Sequence, residues 1–143
     1  QLPSMAAQQH VFVYGTLRPA VAAGEPRFLI EGLKHDGPAT VRGRLVDLGD
    51  YPGLVEGSGL VHGDLLVVED SEKLAALDAY EECGPPSFLY RRELVTAERP
   101  DGSHLGVWVY RYRRDVDPAA DIPGGDYVKH IRSDGCTSQR ASE

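Results

Sequence analysis

The 143-residue chain has the length of one ordinary globular domain, so we expect a single hydrophobic core. Its composition, with 41% apolar and 26% charged residues, is that of a folded, water-soluble protein. The 22 acidic residues outnumber the 15 basic ones and give a formal charge of −7, which argues against nucleic acid or an anionic membrane as a partner. No apolar run approaches the ~20 residues that a membrane span requires.

The ends of the chain and the cysteines indicate where in the cell the protein is expected. No charged segment followed by an apolar one precedes residue 10, so a secretory signal is not predicted. Cys83 and Cys136 are far apart and lack metal-binding spacing, which favours two reduced thiols in a cytoplasmic protein. We place one domain at residues 10–132 and expect residues 1–9 and 133–143 to be flexible ends or non-native additions.

Short runs of β-branched and aromatic residues, separated by glycine- and proline-containing turns, predict five strands. In chain order, these strands cover residues 10–14, 39–48, 60–68, 89–97 and 105–112. The pair Asp101-Gly102 lies between the last two and is typical of a hairpin turn.

Helices interrupt this pattern at two places. Residues 71–83 predict a well-defined helix whose N-terminus can be capped by Asp70 or Ser71. Gly84 is well placed as its left-handed C-terminal residue, and the two prolines that follow prevent continuation. A weaker helix is predicted at residues 25–33. Many strands with one or two helices predict an α+β domain, such as a small barrel, and not a βαβ arrangement.

A carboxylate lies on the helix face that we expect to contact the core. Leu77 and Glu81 follow Leu74 at i+3 and i+7, so the three residues share one side of the helix. A buried carboxylate needs a cationic partner or has a raised pKa. Two interpretations stay open at this point: Glu81 is a structural residue neutralised by Arg91 or Arg92, or it is a base that transfers protons.

The exit of the first strand is a second candidate site. Gly15 directly follows that strand and permits a sharp, strained turn or a close approach of the backbone to a ligand. The backbone N–H groups of the loop that follows can hold an anion or a developing oxyanion. Taken alone, the segment favours an ordinary turn, and it is not a P-loop.

Other catalytic arrangements find no support in the sequence. The five histidines do not pair at metal-ligand spacing, no GxSxG motif occurs, and neither cysteine has a neighbouring histidine. Arginines alternate with tyrosines over residues 110–114, which in an acidic chain predicts a solvated strand face rather than a nucleic-acid stripe.

Two segments together resemble the signature of the gamma-glutamylcyclotransferase-like family, which includes the avirulence-induced-gene-like proteins of plants. They are VFVYGTLRP at residues 11–19 and LDAYEE at residues 77–82, the latter followed downstream by LYRR. GRLVDLGDYPGLV and VHGDLL are similar to the middle strands of the family, and IPGGDYVKHI to its closing segment. The resemblance implies a mixed β-barrel with an enclosed cavity, which we expect to have five to seven strands and one or two packed helices.

The resemblance also implies an activity, because characterised members cyclise γ-glutamyl amines or peptides to 5-oxoproline and a free amine without metal or cofactor. The positions that match substrate-binding residues are Tyr14, Gly15, Thr16, Leu17 and Tyr90. Glu81 matches the glutamate that accepts a proton. The family often has glycine directly after that glutamate, whereas this chain has Glu82, whose charge is expected to raise the pKa of Glu81 further.

We therefore predict a gamma-glutamylcyclotransferase-type enzyme that acts on a small γ-glutamyl substrate, with Glu81 as general base and a backbone oxyanion site. One alternative is a non-catalytic small-molecule binding protein of the same fold. Another is a protein-interaction module that uses the edge of the barrel. The sequence specifies neither the amine half of the substrate nor the oligomeric state.

Overall fold

The structure is a computed structural model that describes residues 9–49, 51–81, 83, 89–114 and 120–131. Within these residues five strands form a closed barrel: β1 Gln9–Val13, β2 Lys34–Asp47, β3 Pro52–Val68, β4 Tyr90–Glu98 and β5 His104–Tyr112. Helix α1 spans Glu25–Ile30 and helix α2 spans Ser71–Tyr80. A 3₁₀ turn at Pro123–Gly125 precedes a helical turn at 127–131. The predicted α+β domain with a small barrel is confirmed.

The strand order around the barrel is β1-β3-β2-β4-β5, with β5 returning to β1. Neighbours along this order pair antiparallel, whereas β5 pairs parallel with β1 at Val11 and Trp108 and with β3 at Leu54 and Arg111. The barrel is therefore mixed, as the family resemblance implied. Within the described residues no helix is long and apolar enough to cross a membrane.

Alternation of side chains along β1 divides the buried residues into two clusters. Phe12 and Tyr14 belong to a cluster that includes buried residues of all five strands. Val11 and Val13 belong to a second cluster, which also includes Ile30 of α1 and Leu74 and Leu77 of α2. Since successive side chains of a strand point to opposite faces, one short strand contributes to both clusters.

The hairpin of β2 and β3 is longer than predicted. Its strands begin at Lys34 and Pro52 rather than at residues 39 and 60, and pairing runs from Lys34↔Val67 to Asp47↔Pro52. The glycines in these segments accommodate irregularities of the ladder: register shifts occur between residues 35 and 38 and between residues 42 and 44. The Asp101-Gly102 hairpin turn is confirmed, with Gly102 at φ 89°.

The helices end earlier than predicted. Helix α2 begins as expected, because the Asp70 side chain accepts a hydrogen bond from the Glu72 amide at 2.8 Å, but it ends at Tyr80 instead of Cys83. Helix α1 ends at Ile30 instead of residue 33. The predictions for Glu82, Gly84 and the prolines after it, residues 1–8 and the tail from residue 132 fall outside the described residues.

Candidate active site

A cavity of about 300 Å³ lies between the loop after β1 and the C-terminal end of α2. The residues proposed from the sequence all line it: Glu81, Tyr14, Gly15, Thr16, Leu17 and Tyr90. The other lining residues are Phe12, Val13, Tyr51, Pro52, Tyr80, Leu89 and Tyr110. Residues that are far apart in the chain thus meet at one place, as do Tyr14 and Tyr110, which are separated by 96 positions.

Helix α2 delivers Glu81 to this cavity. Leu74 and Leu77 are buried against the barrel, and Glu81 follows as the C-terminal cap, its amide donating to the Leu77 carbonyl at 3.0 Å. The Glu81 side chain is half-buried at the cavity wall and not enclosed in the core. The arginines considered as its structural partners pair with other carboxylates, Arg91 with Glu93 and Arg92 with Asp78.

The loop after β1 packs tightly against the start of β3. Its turn is closed by the Arg18 amide, which donates to the Gly15 carbonyl at 2.9 Å. The expectation of a strained turn is wrong, because Gly15 is not among the residues with positive φ. A Cβ atom at Gly15 would instead lie 2.5 Å from Cγ of Pro52, closer than any real contact. Glycine is required here because two parts of the cavity wall touch.

Two polar ties hold this loop in place. The Thr16 hydroxyl lies 3.2 Å from the Tyr80 hydroxyl, which joins the loop to the end of α2. On the other side, Arg18 forms ion pairs with Asp64 of β3 at 2.8 Å and with Asp126 at 3.0 Å. The loop is therefore fixed both to the helix and to the barrel.

The tyrosines predicted at the site are buried and directed by main-chain bonds. The Tyr14 hydroxyl donates to the Tyr110 carbonyl at 2.6 Å and accepts from the Leu54 amide at 3.2 Å. The Tyr90 hydroxyl donates to the Pro52 carbonyl at 2.8 Å. Each phenol thus uses its proton within the protein, which fixes both rings as rigid walls.

Sequence reasoning missed Tyr51, Tyr80 and Tyr110, and it predicted the wrong exposure for Tyr110 and Arg111 of β5. Residues 110–114 were predicted to be a solvated face, but Tyr110 is 2% exposed and the Arg111 side chain 15%. Tyr110 packs in the cluster beneath the helices, and Arg111 pairs with Glu93 at 2.8 Å. Arg113 and Arg114 are exposed, as expected. Alternation alone does not show which face of β5 the helix covers.

Burial and charge keep the tyrosines neutral. Burial raises the pKa of Tyr14 well above its usual value, and the nearby Glu81 charge raises it further. Burial also raises the pKa of Tyr90, with contributions from Tyr14 and Glu81. For Tyr110, burial and the hydrogen bond to Asp78 act in the same direction. The phenols therefore remain protonated at neutral pH.

The charge of the wall is negative. Among the described residues that line the cavity, Glu81 contributes the one carboxylate, and none is Lys, Arg or His. Burial, with Asp78 and Glu81 nearby, raises the pKa of Cys83 to about 12, so this free thiol is a poor nucleophile at neutral pH. The described residues include no cluster of three or more potential metal ligands. A carboxylate surrounded by tyrosine rings suits an ammonium group.

Comparison with known proteins places this geometry in a family context. Residues 11–129 match the protein family described as "Gamma-glutamyl cyclotransferase, AIG2-like". The chain is 35% identical over 118 residues to the gamma-glutamylcyclotransferase family protein YtfP of Escherichia coli K12, covering 82% of this chain and 95% of YtfP. The solution structure of ytfP from Escherichia coli gives a TM-score of 0.60 at 32% identity, over 86% of this chain and 99% of that one. The crystal structure of an AIG2-like protein from Mus musculus shares the fold, with a TM-score of 0.67 at 24% identity over 84% of this chain and 88% of that one.

Proposed function

The chain belongs to the gamma-glutamylcyclotransferase, AIG2-like family, and we propose that it converts a γ-glutamyl amine or peptide into 5-oxoproline and a free amine. The observation that carries the proposal is the position of Glu81. It supplies the one carboxylate among the described residues of a cavity whose other ionisable groups are protonated phenols. A cytoplasmic location remains a prediction from the sequence.

In the proposed mechanism Glu81 begins as the general base. Its carboxylate takes a proton from the α-ammonium of the substrate, and the neutral amine then attacks the γ-carbonyl carbon of the same molecule. A new carbon–nitrogen bond closes a five-membered ring and gives a tetrahedral intermediate. Because both reacting groups belong to one molecule, a cavity that holds the substrate folded provides much of the rate acceleration.

Collapse of the intermediate returns the proton. The bond between the γ-carbon and the leaving nitrogen breaks, and Glu81 donates its proton to that nitrogen. The ring nitrogen, which still carries the second proton of the former ammonium group, passes it to the Glu81 carboxylate, and the released amine takes it up as an ammonium ion, so the carboxylate is regenerated. The amide N–H groups of Gly15, Thr16 and Leu17 are proposed to stabilise the oxyanion, since these residues line the same cavity as Glu81. The contact of Thr16 with Tyr80 supports this arrangement, because it connects the oxyanion loop to the helix that carries the base.

A non-catalytic binding protein of the same fold is the alternative, and one assay separates the two. A panel of γ-glutamyl amines, γ-glutamyl amino acids and glutathione is incubated with the protein, and 5-oxoproline is quantified. The proposal predicts 5-oxoproline and amine in equal amounts for at least one compound. N-acetylated and α-glutamyl analogues are predicted to be inert, because the first lacks the nucleophile and the second has its scissile carbonyl misplaced. A compound that raises the melting temperature without any turnover favours the binding protein.

A further inference from the structure

Asp78 ties the end of α2 to the barrel, and the mechanism proposed above does not use it. Its Oδ1 atom accepts a hydrogen bond from the Tyr110 hydroxyl at 2.7 Å. The same oxygen pairs with Nε of Arg92 at 3.0 Å. Because Tyr110 belongs to β5 and Arg92 to β4, one carboxylate oxygen joins the helix to two adjacent strands.

Main-chain hydrogen bonds connect Glu81 and Cys83 to the last turn of α2, which contains Asp78. The Asp78 carbonyl accepts a hydrogen bond from the Cys83 amide at 3.1 Å, and the Glu81 amide donates to the Leu77 carbonyl at 3.0 Å. The chain on both sides of Glu81 is therefore bonded back to the last turn of α2. Since Asp78 is also the residue of that turn bonded to β4 and β5, the placement of Glu81 relative to the barrel depends on it.

The partners of Asp78 are themselves held firmly. Tyr110 is 2% exposed and forms part of the cavity wall. The Arg92 guanidinium lies 4.5 Å from the centre of the Trp108 ring, a cation–π geometry that limits its movement. Hydrogen bonds that involve a charged group are stronger than those between neutral groups, particularly where water is partly excluded. Asp78 thus connects the helix to rigid positions on the barrel.

We infer that Asp78 is a positioning residue, which fixes the last turn of α2 so that the Glu81 carboxylate points at the α-ammonium of the substrate. The kinetic consequence of this inference rests on the proposed function. The structural part concerns the placement of Glu81 and holds with or without turnover. Misplacing a catalytic group by about 1 Å can reduce a rate about 100-fold.

The test compares Asp78→Ala, which removes both ties, with Asp78→Asn, which keeps an oxygen that can accept from Tyr110. Asp36→Ala is the matched control. Both aspartates have side chains that are 28% exposed, and Asp36 also has two partners, Arg99 at 3.0 Å and His10 at 2.8 Å. Asp36 lies on β2 and does not line the cavity.

We expect Asp78→Ala to lower kcat for 5-oxoproline release by about 10- to 100-fold while KM changes less than about threefold. Asp78→Asn should recover part of the loss, and Asp36→Ala should leave kcat unchanged. Equal kcat losses in Asp78→Ala and Asp36→Ala would overturn the inference, because general destabilisation would then explain both. Should Asp78→Ala not fold, Tyr110→Phe, which removes one tie and keeps the ring, takes its place.

A second readout separates failure of this inference from failure of the proposed function. The ¹³C carboxylate resonance of Glu81, assigned by its loss in Glu81→Gln, is compared in the wild type, Asp78→Ala and Asp36→Ala. The inference predicts a changed resonance in Asp78→Ala and an unchanged one in Asp36→Ala, even if no compound is turned over. A Glu81 resonance that is the same in the wild type and Asp78→Ala overturns the inference, whatever the assay shows.

Discussion

The cavity beside Glu81 contrasts with a groove on the outside of the barrel. That groove, which we call the arginine groove, has a volume of about 660 Å³, more than twice that of the cavity. Its lining residues are Arg44, Val55, Glu56, Arg91, Arg111, Tyr112, Arg113 and Arg114. The cavity is smaller, and its described wall holds one carboxylate among neutral phenols.

The proposed site of chemistry is therefore neither the larger nor the more highly charged of the two. In the arginine groove, Arg91 and Arg111 share Glu93, and Arg44 pairs with Asp121 at 2.6 Å. These partly exposed ion pairs join neighbouring strands to one another and to the segment that contains Asp121. Each such pair contributes little to the stability of the fold. In the cavity the carboxylate of Glu81 borders a space that a small molecule can enter.

The largest effect is expected for Glu81→Gln, which should abolish 5-oxoproline release and leave the fold intact. Glutamine keeps the shape of the side chain but accepts no proton, and general acid–base catalysis typically contributes about 10²–10⁴-fold. Steady-state kinetics and a thermal melt measure the two consequences. The control is Glu56→Gln in the arginine groove, which should retain full activity. Full activity of Glu81→Gln would remove the basis of the proposed mechanism.

Gly15→Ala should reduce both activity and stability. The added Cβ meets Pro52 at 2.5 Å, and overpacking of this kind typically costs about 1–3 kcal/mol. Urea denaturation measures the loss of unfolding free energy, and the same preparation is assayed for 5-oxoproline release. Gly106→Ala on β5 is the control, because its Cβ meets nothing nearer than Leu94 at 3.8 Å. A comparable loss in both variants would show that the contact with Pro52 is unimportant.

The stability contributed by Glu93 should depend on pH. Burial alone would raise the pKa of this carboxyl, but Arg111 and Arg91 outweigh burial and lower it. A lowered pKa in the folded state means that the contribution is present above the unfolded value of about 4.3 and is lost as the pH falls through the folded value. Glu93→Gln should therefore destabilise the protein by about 1 kcal/mol at pH 7. The difference from wild type should vanish in acid, and one that persists unchanged at pH 2 would contradict this prediction.

The smallest effect is expected for Arg91→Ala in the arginine groove. The side chain is 63% exposed, and ion pairs of exposed residues contribute about 0–1 kcal/mol, less in high salt. We expect kcat to remain within about twofold of wild type, since the groove takes no part in the proposed reaction. A large fall in kcat would show that the cavity and the arginine groove are functionally coupled.

The sequence predicts the barrel better than it predicts the length of its strands. Runs of β-branched and aromatic residues locate β1, β4 and β5 to within a residue or two, because each of these strands places side chains in the core. The first part of β3 was missed since residues 56–60 are exposed and include glycines. Pairing with β2 holds the two ends of that segment, Val55 opposite Arg44 and Leu60 opposite Arg42, and only the folded hairpin supplies this pairing.

The residues of the candidate site were predictable only where a single stretch of sequence has a helical pattern or a family motif. Helical periodicity put Glu81 on the face of Leu74 and Leu77, and family resemblance supplied the loop residues and Tyr90. Tyr80 and Tyr110 gave no sequence signal, because their positions at the cavity depend on how α2 docks on β5. The importance of Asp78 has the same origin, since its partners lie on strands that closure of the barrel brings beneath the helix.

The measurement that tests the central claim most directly is the reaction of a γ-glutamyl amine in ¹⁸O-labelled water. Intramolecular attack by the α-amine uses no solvent oxygen, so the account predicts unlabelled 5-oxoproline and one equivalent of amine. A hydrolase would release glutamate that carries one ¹⁸O atom. Mass spectrometry distinguishes the two products, and labelled glutamate as the primary product would contradict the cyclisation mechanism.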